Sequence, residues 1–161
     1  MKSQAFTLIE ILVVVLIIGI LAAIAVPQYK FAVEKSQVAQ VLSAVADIVQ
    51  AQEFYYLANG HYTKKIEDLD ININFPSNWK LALYNDNKYH KLEVWKVKPV
   101  ADRTLGIVHY YNNPGSVSVY PGETYCYAKA GYPFETKICQ SIGKSKGDSN
   151  SSDSTATRWI I

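Results

Sequence analysis

The chain has 161 residues, 49% of them hydrophobic, and a formal charge of +2 from 16 Lys and Arg against 14 Asp and Glu. That size holds one modest domain, and the composition excludes a multidomain enzyme, a disordered chain, a collagen-like repeat and a disulfide-dense miniprotein. So small a net charge does not argue for a nucleic-acid partner.

The hydrophobic residues are unevenly spread. Residues 11 to 26 carry no charge, and between residues 6 and 26 the only charged side chain is Glu10. As a helix rising about 1.5 Å per residue, this segment spans roughly 32 Å, close to the ~30 Å core of a bilayer. A cleaved secretory signal is one reading, since Leu21-Ala22-Ala23-Ile24-Ala25 mimics a small-residue cleavage site. A buried core helix is a second, although a helix apolar on every face needs more surrounding protein than this chain supplies. The length of the run and its continuation into further helix favour the third, a membrane anchor. Glu10 then costs a few kcal/mol inside lipid, where such groups are usually functional. The alternative is that it sits among the headgroups and is tolerated there.

The string Ala5-Phe6-Thr7-Leu8-Ile9-Glu10, preceded by Lys2-Ser3-Gln4 and followed by an aliphatic run and Pro27, resembles the class III leader of type IV pilins and pseudopilins. The resemblance is strong over residues 1 to about 35 and looser beyond. It implies a leader of residues 1 to 5, cut by prepilin peptidase between Ala5 and Phe6, with methylation of the new Phe6 amine. Ala5 stands where the family usually has glycine. It also implies a transmembrane and filament-core helix over residues 6 to 26, held by membrane lipid before assembly. The partners would be identical or related pilins in a polymer, with an inner-membrane assembly platform and its ATPase. In that polymer the Glu10 carboxylate would pair with the Phe6 amine of a neighbour and set subunit register, at a helix start whose dipole favours a negative charge. Pro27 cannot donate a backbone bond, so it reads as a helix kink, as a boundary just past the membrane, or as both.

Orientation signals disagree. Lys2 precedes the span while Lys30 and Lys35 follow it, which leans slightly towards a cytoplasmic carboxyl side. Cys126 and Cys139, the only two cysteines, argue the other way, because on an exported chain they read as one disulfide formed in an oxidising compartment. Reduced buried cysteines are the alternative. The leader and the cysteine pair together place the head in the periplasm, and later on an extracellular pilus or a periplasmic pseudopilus.

Val38, Val41, Leu42, Val45, Ile48, Val49 and Tyr55 recur at helical spacing, so an amphipathic continuation of the helix is expected over residues 27 to 58, stopping at Asn59-Gly60. The loop holding His61, Tyr62 and Leu69 resembles the one that follows the long helix in pilins and major pseudopilins. Strands are expected at 79 to 84, 91 to 98, 105 to 111 and 117 to 120, with one face of the second strand wet around Glu93. Three or four antiparallel strands on a helix make an α+β head over residues 59 to 161. Residues 143 to 157 read as a flexible loop, in which Asp148, Asn150 and Asp153 lack the remaining ligands of a calcium loop. Trp159-Ile160-Ile161 is expected to return to the sheet.

Catalysis finds little footing. His61, His90 and His109 lack metal-ligand spacing and no phosphate or dinucleotide fingerprint occurs, so no catalytic residue, metal or cofactor is expected. The leading expectation is a structural subunit of a type IV pilus-like filament. A pseudopilin of a type II secretion system is the alternative within the family, although the cysteine pair resembles pilins more. A single-pass membrane-anchored ligand-binding or sensor protein is the alternative of another class.

Overall fold

A computed structural model describes residues 7 to 86, 90 to 97, 103 to 112, 121 to 145 and 156 to 161. Ala5, Phe6, the strand expected at 117 to 120, and Asp148, Asn150 and Asp153 lie outside the described residues. The elements in order are helix α1 (Leu8–Asn59), a 3-10 turn (Ile66–Asp68), strands β1 (Trp79–Asn85), β2 (His90–Val97), β3 (Arg103–Tyr110) and β4 (Thr124–Lys129), helix α2 (Pro133–Ile142), and strands β5 (Lys144–Ser145) and β6 (Ala156–Ile160). The chain divides into two compact units, Met1–Ser36 and Gln37–Ile161.

The first unit is the amino-terminal part of α1. It is long and apolar enough to cross a membrane, and the most apolar stretch buries nothing against protein. Leu12, Leu16, Ile20 and Ile24 are all more than half exposed. A helix with no polar face has no stable orientation against water, so it calls for lipid or for other helices. Pro27 lies inside α1 rather than at its end. Lacking an N–H, it leaves the Ala23 carbonyl without the usual helical donor.

In the second unit, α1 buries Val38, Val41, Ala44, Val45, Ile48 and Gln52, three or four residues apart. Leu42, Val49 and Tyr55, expected in the same stripe, are half-buried at its margins. The helix stops where Gly60 takes φ +75 and donates its N–H to the Tyr56 carbonyl at 2.7 Å. That left-handed geometry is open to glycine without strain.

Among the described residues six antiparallel strands form one sheet in the order β1-β2-β3-β4-β6-β5. This exceeds the three or four expected, and it corrects the loop expected at 143 to 157, whose ends are strand residues Lys144, Ser145, Ala156 and Thr157. Pairing of β6 with β4 overrides the low intrinsic strand preference of that Ser-rich stretch. Trp159 does return to the sheet and is 2% exposed. One face of the sheet carries Leu92, Val94, Leu105, Ile107, Cys126 and Trp159, all buried.

The second strand does not have a wet face around Glu93, which is 6% exposed. Its carboxylate accepts from Lys91 Nζ at 3.1 Å, from an Arg103 guanidinium nitrogen at 3.0 Å and from the Tyr127 hydroxyl at 2.9 Å. Burial alone would raise the Glu93 pKa, but Lys91, Tyr127 and Arg103 outweigh it and hold the carboxyl below the usual carboxylate range.

The loop after α1 is fastened to the head by a side chain on the helix. Gln52 Nε2 donates to the Thr63 carbonyl at 2.9 Å, and the Thr63 N–H donates to Gln52 Oε1 at 3.1 Å. Between these bonds and the sheet, Tyr62 stacks on Tyr56 and on Tyr111, with ring centroids 4.6 and 4.3 Å apart. Asn85 Nδ2, at the end of β1, donates to the Tyr62 carbonyl. Cys126 on β4 and Cys139 on α2 form a disulfide with Cα atoms 5.5 Å apart.

His109 on β3 is 7% exposed and shares a 2.8 Å hydrogen bond with Thr124 Oγ1 through Nδ1. Burial pushes its pKa from 6.5 down to about 4, so the folded ring stays neutral where the unfolded one takes a proton. Stability is therefore complete above about pH 6.5, falls as pH drops towards 4, and levels off below, a loss of at most about 3 kcal/mol. Urea unfolding of the full chain in detergent at pH 7 and pH 4 measures this. The variant His109→Gln is expected to remove the decline between those values, and an unchanged decline would assign it to other groups.

Candidate functional site

The chemistry singled out in the sequence gathers at the start of α1, where an almost wholly apolar surface carries one ionisable side chain. Thr7 Oγ1 accepts from the Glu10 N–H at 3.3 Å. In return Glu10 Oε2 accepts from the Thr7 N–H at 2.9 Å and from the Thr7 hydroxyl at 2.7 Å. This is the reciprocal cap that a Thr-x-x-Glu sequence makes when it opens a helix, satisfying donors that no helical carbonyl can reach. Both residues are exposed. The pairing had a signal in the sequence, the spacing of Thr7 and Glu10, that the reading of Glu10 as an isolated charge passed over.

Around this charge, Leu8 is 89% and Ile9 70% exposed, and the aliphatic side chains that follow are uncovered as well. Such a surface can do two things: dissolve in lipid, or bundle with other apolar helices. A carboxylate at its edge can meet a cation on a neighbour. Phe6, whose amine the family resemblance would pair with a neighbour's Glu10, lies just before the described residues.

The remaining candidates do not converge. Cys126 and Cys139 are spent in their disulfide within the second unit. His61 meets the Tyr55 ring edge-on at 5.7 Å between centroids, His90 Nδ1 lies 2.6 Å from Asn85 Oδ1, and His109 is held by Thr124. Among the described residues no three His, Cys, Asp or Glu side chains are grouped so as to hold a metal ion. The second unit has an apolar groove lined by Leu42, Val45, Val49 and Ile161, with His109 and Thr124 in its wall. The His109 ring and the Thr124 hydroxyl in that wall are hydrogen-bonded to each other at 2.8 Å.

Residues 1 to 26 match the family described as "Prokaryotic N-terminal methylation motif". Over 91 residues the chain is 35% identical to the type II secretion system core protein G of Escherichia coli strain K12, covering 56% of this chain and 63% of that protein. Over 55 residues it is 53% identical to the type IV major fimbrial protein FimA of Dichelobacter nodosus, covering 33% of this chain and 35% of the relative. It is 52% identical over 54 residues to a fimbrial protein of Pseudomonas aeruginosa, covering 33% of this chain and 35% of that one. The matched stretches therefore span less than two thirds of each of these relatives.

Proposed function

From an amino-terminal segment of the prokaryotic methylation type, similar to those of fimbrial proteins and of a type II secretion core protein, we propose that this chain is a structural subunit of a type IV pilus-like filament. The observation that carries the reading is the coincidence of that motif with a membrane-length apolar helix whose side chains are exposed among the described residues. Prepilin peptidase removes residues 1 to 5 and methylates Phe6. The helix over residues 6 to 26 anchors the subunit once in the inner membrane with its head in the periplasm. An assembly platform and its ATPase then transfer the helix from lipid to the filament core. Both environments are apolar, so the transfer exchanges one set of contacts for another and gains far less than burial from water would give. That balance is why an external motor is needed.

A pseudopilin of a type II secretion system is the second reading, favoured by the longer of the matches, which runs well beyond the apolar helix. The cysteine pair, joined across α2 and β4, favours the pilus. Mass spectrometry of protein taken from membranes of a host with prepilin peptidase tests the shared premise. The expected mature chain begins at Phe6 and is one methyl group heavier than its sequence. An intact Met1, or a cut after Ala25, overturns the proposal.

A further inference from the structure

Asn59-Gly60 is the one Asn-Gly pair in the chain. Asparagine is thermolabile, and most so before glycine, where no Cβ hinders the following amide nitrogen from reaching the side-chain carbonyl carbon. Both residues are exposed, and nothing lies within 4 Å of the position that a Gly60 Cβ would occupy. Water therefore has access to the pair.

The folded chain keeps the two reacting groups occupied. Asn59 Nδ2 donates to the Tyr55 carbonyl at 2.9 Å, which turns the side-chain amide back along α1. Gly60 donates its N–H to the Tyr56 carbonyl at 2.7 Å, so the nitrogen that must attack is engaged. Attack needs the reacting atoms about 3 to 3.5 Å apart and aligned, hence both bonds must open first. Ties beyond the helix resist that opening. Thr63, three positions after Gly60, is held by Gln52 through two hydrogen bonds, and the Tyr62 carbonyl accepts from Asn85 Nδ2. While these hold, the last helical turn cannot fray far.

We propose that Asn59 is a modification site whose rate is set by this closed loop. When the turn opens, the Gly60 nitrogen bonds to Asn59 Cγ and closes a succinimide, and the side-chain nitrogen leaves as ammonia with the Gly60 proton. Water then opens the ring. Hydrolysis at the side-chain carbonyl leaves aspartate, and hydrolysis at the main-chain carbonyl leaves isoaspartate with the backbone rerouted through Cγ. Neither product re-forms the turn as it was. Aspartate has no N–H to give the Tyr55 carbonyl, and a negative charge at the carboxyl end of a helix meets the unfavourable pole of its dipole. The conversion thus marks, irreversibly, a head whose loop has opened. It requires neither membrane nor polymer, so its outcome is independent of the filament reading.

The test incubates the full chain in a nonionic detergent at neutral pH beside a synthetic peptide of residues 55 to 63, and follows conversion by mass spectrometry of the tryptic fragment 36 to 64. The parent chain is expected to convert at least tenfold more slowly than the peptide, because two hydrogen bonds must break first. Gln52→Ala and Asn85→Ala untie the loop without touching the reacting pair, and they should convert about tenfold and about threefold faster than the parent. Near-ultraviolet circular dichroism checks that each variant keeps its head, and Asn85, only half-buried, is the milder change. Asn59→Asp, the product itself, is expected to speed amide exchange over residues 60 to 63 about tenfold. A parent chain that converts as fast as the peptide overturns control by the loop, as do folded variants that convert no faster than the parent. Unchanged exchange in Asn59→Asp overturns the mark, since the modified loop would then close as before.

Discussion

Replacing Glu10 by alanine is expected to abolish incorporation into filaments while leaving the subunit in the membrane. The side chain sits at the edge of an apolar helix that would be surrounded by its neighbours' helices, where a lone charge is costly and a paired one is not. Removing one member of such a pair typically costs about 3 to 5 kcal/mol, because the other is left uncompensated. That is two to three or more orders of magnitude in an association constant. Alanine also strips the Thr7 N–H and hydroxyl of their acceptor, so a second substitution is needed to separate cap from charge. Glu10→Gln keeps an oxygen that can accept from Thr7, since glutamine serves in this cap as well as glutamate does, but it carries no charge. Comparing the protein sheared from cells as filaments with that retained in membranes reads both variants. If the pair sets register, glutamine fails as alanine does. Normal filaments from Glu10→Gln would make Glu10 a capping residue only, and normal filaments from Glu10→Ala would remove it from assembly altogether.

The second large effect concerns the head. Cys126 and Cys139 are 13 positions apart, and closing a loop of that size removes conformational freedom from the unfolded chain worth about 3 kcal/mol. Both sulfur-bearing residues are fully buried. The double variant Cys126→Ala/Cys139→Ala is therefore expected to lower the melting temperature of the head by about 10 °C, followed by near-ultraviolet circular dichroism of the full chain in detergent. Because the bond is what fastens α2 to β4, amide exchange in residues 133 to 142 should accelerate before the sheet opens. An unchanged melt, or a sheet that opens together with α2, would place the stability of that corner in its packing and not in the bond.

How far such features could be read in advance depended on how local their cause is. The apolar run, the Val38, Val41, Val45 and Ile48 stripe and the Asn59-Gly60 stop are consequences of residues within a turn or two of one another, and they lie where expected. The first three strands are likewise close to their expected bounds. β4, β5 and β6 were missed for different reasons: the Thr124, Tyr125 and Tyr127 of β4 are strand-prone residues that were passed over, whereas the two residues of β5 carry no signal of their own. Ala156 and Thr157 are held in place by Lys129 and Ala128 across the sheet. Glu93 looked like a solvent-facing residue because alternation alone was used. Its three partners come from positions 91, 103 and 127, and the register shift that brings Arg103 to it has no signature in the chain. Gln52 was one polar residue among several interleaved on the helix, and only Thr63 in the folded loop distinguishes it. Near the amino terminus the reverse held: Thr7 and Glu10 have the spacing of a cap, and the rarity of a charge in that setting drew attention away from the simpler local pairing.

That cap bears on how readily a subunit could be added or withdrawn. In an isolated chain the Thr7 N–H and hydroxyl engage Oε2 of Glu10, and the carboxylate's second oxygen can still accept from a cation on a neighbour. A subunit that leaves returns to an intact helix start, with no orphaned donor to repair. On the filament reading, joining and leaving would then both take place with the helix cap in place.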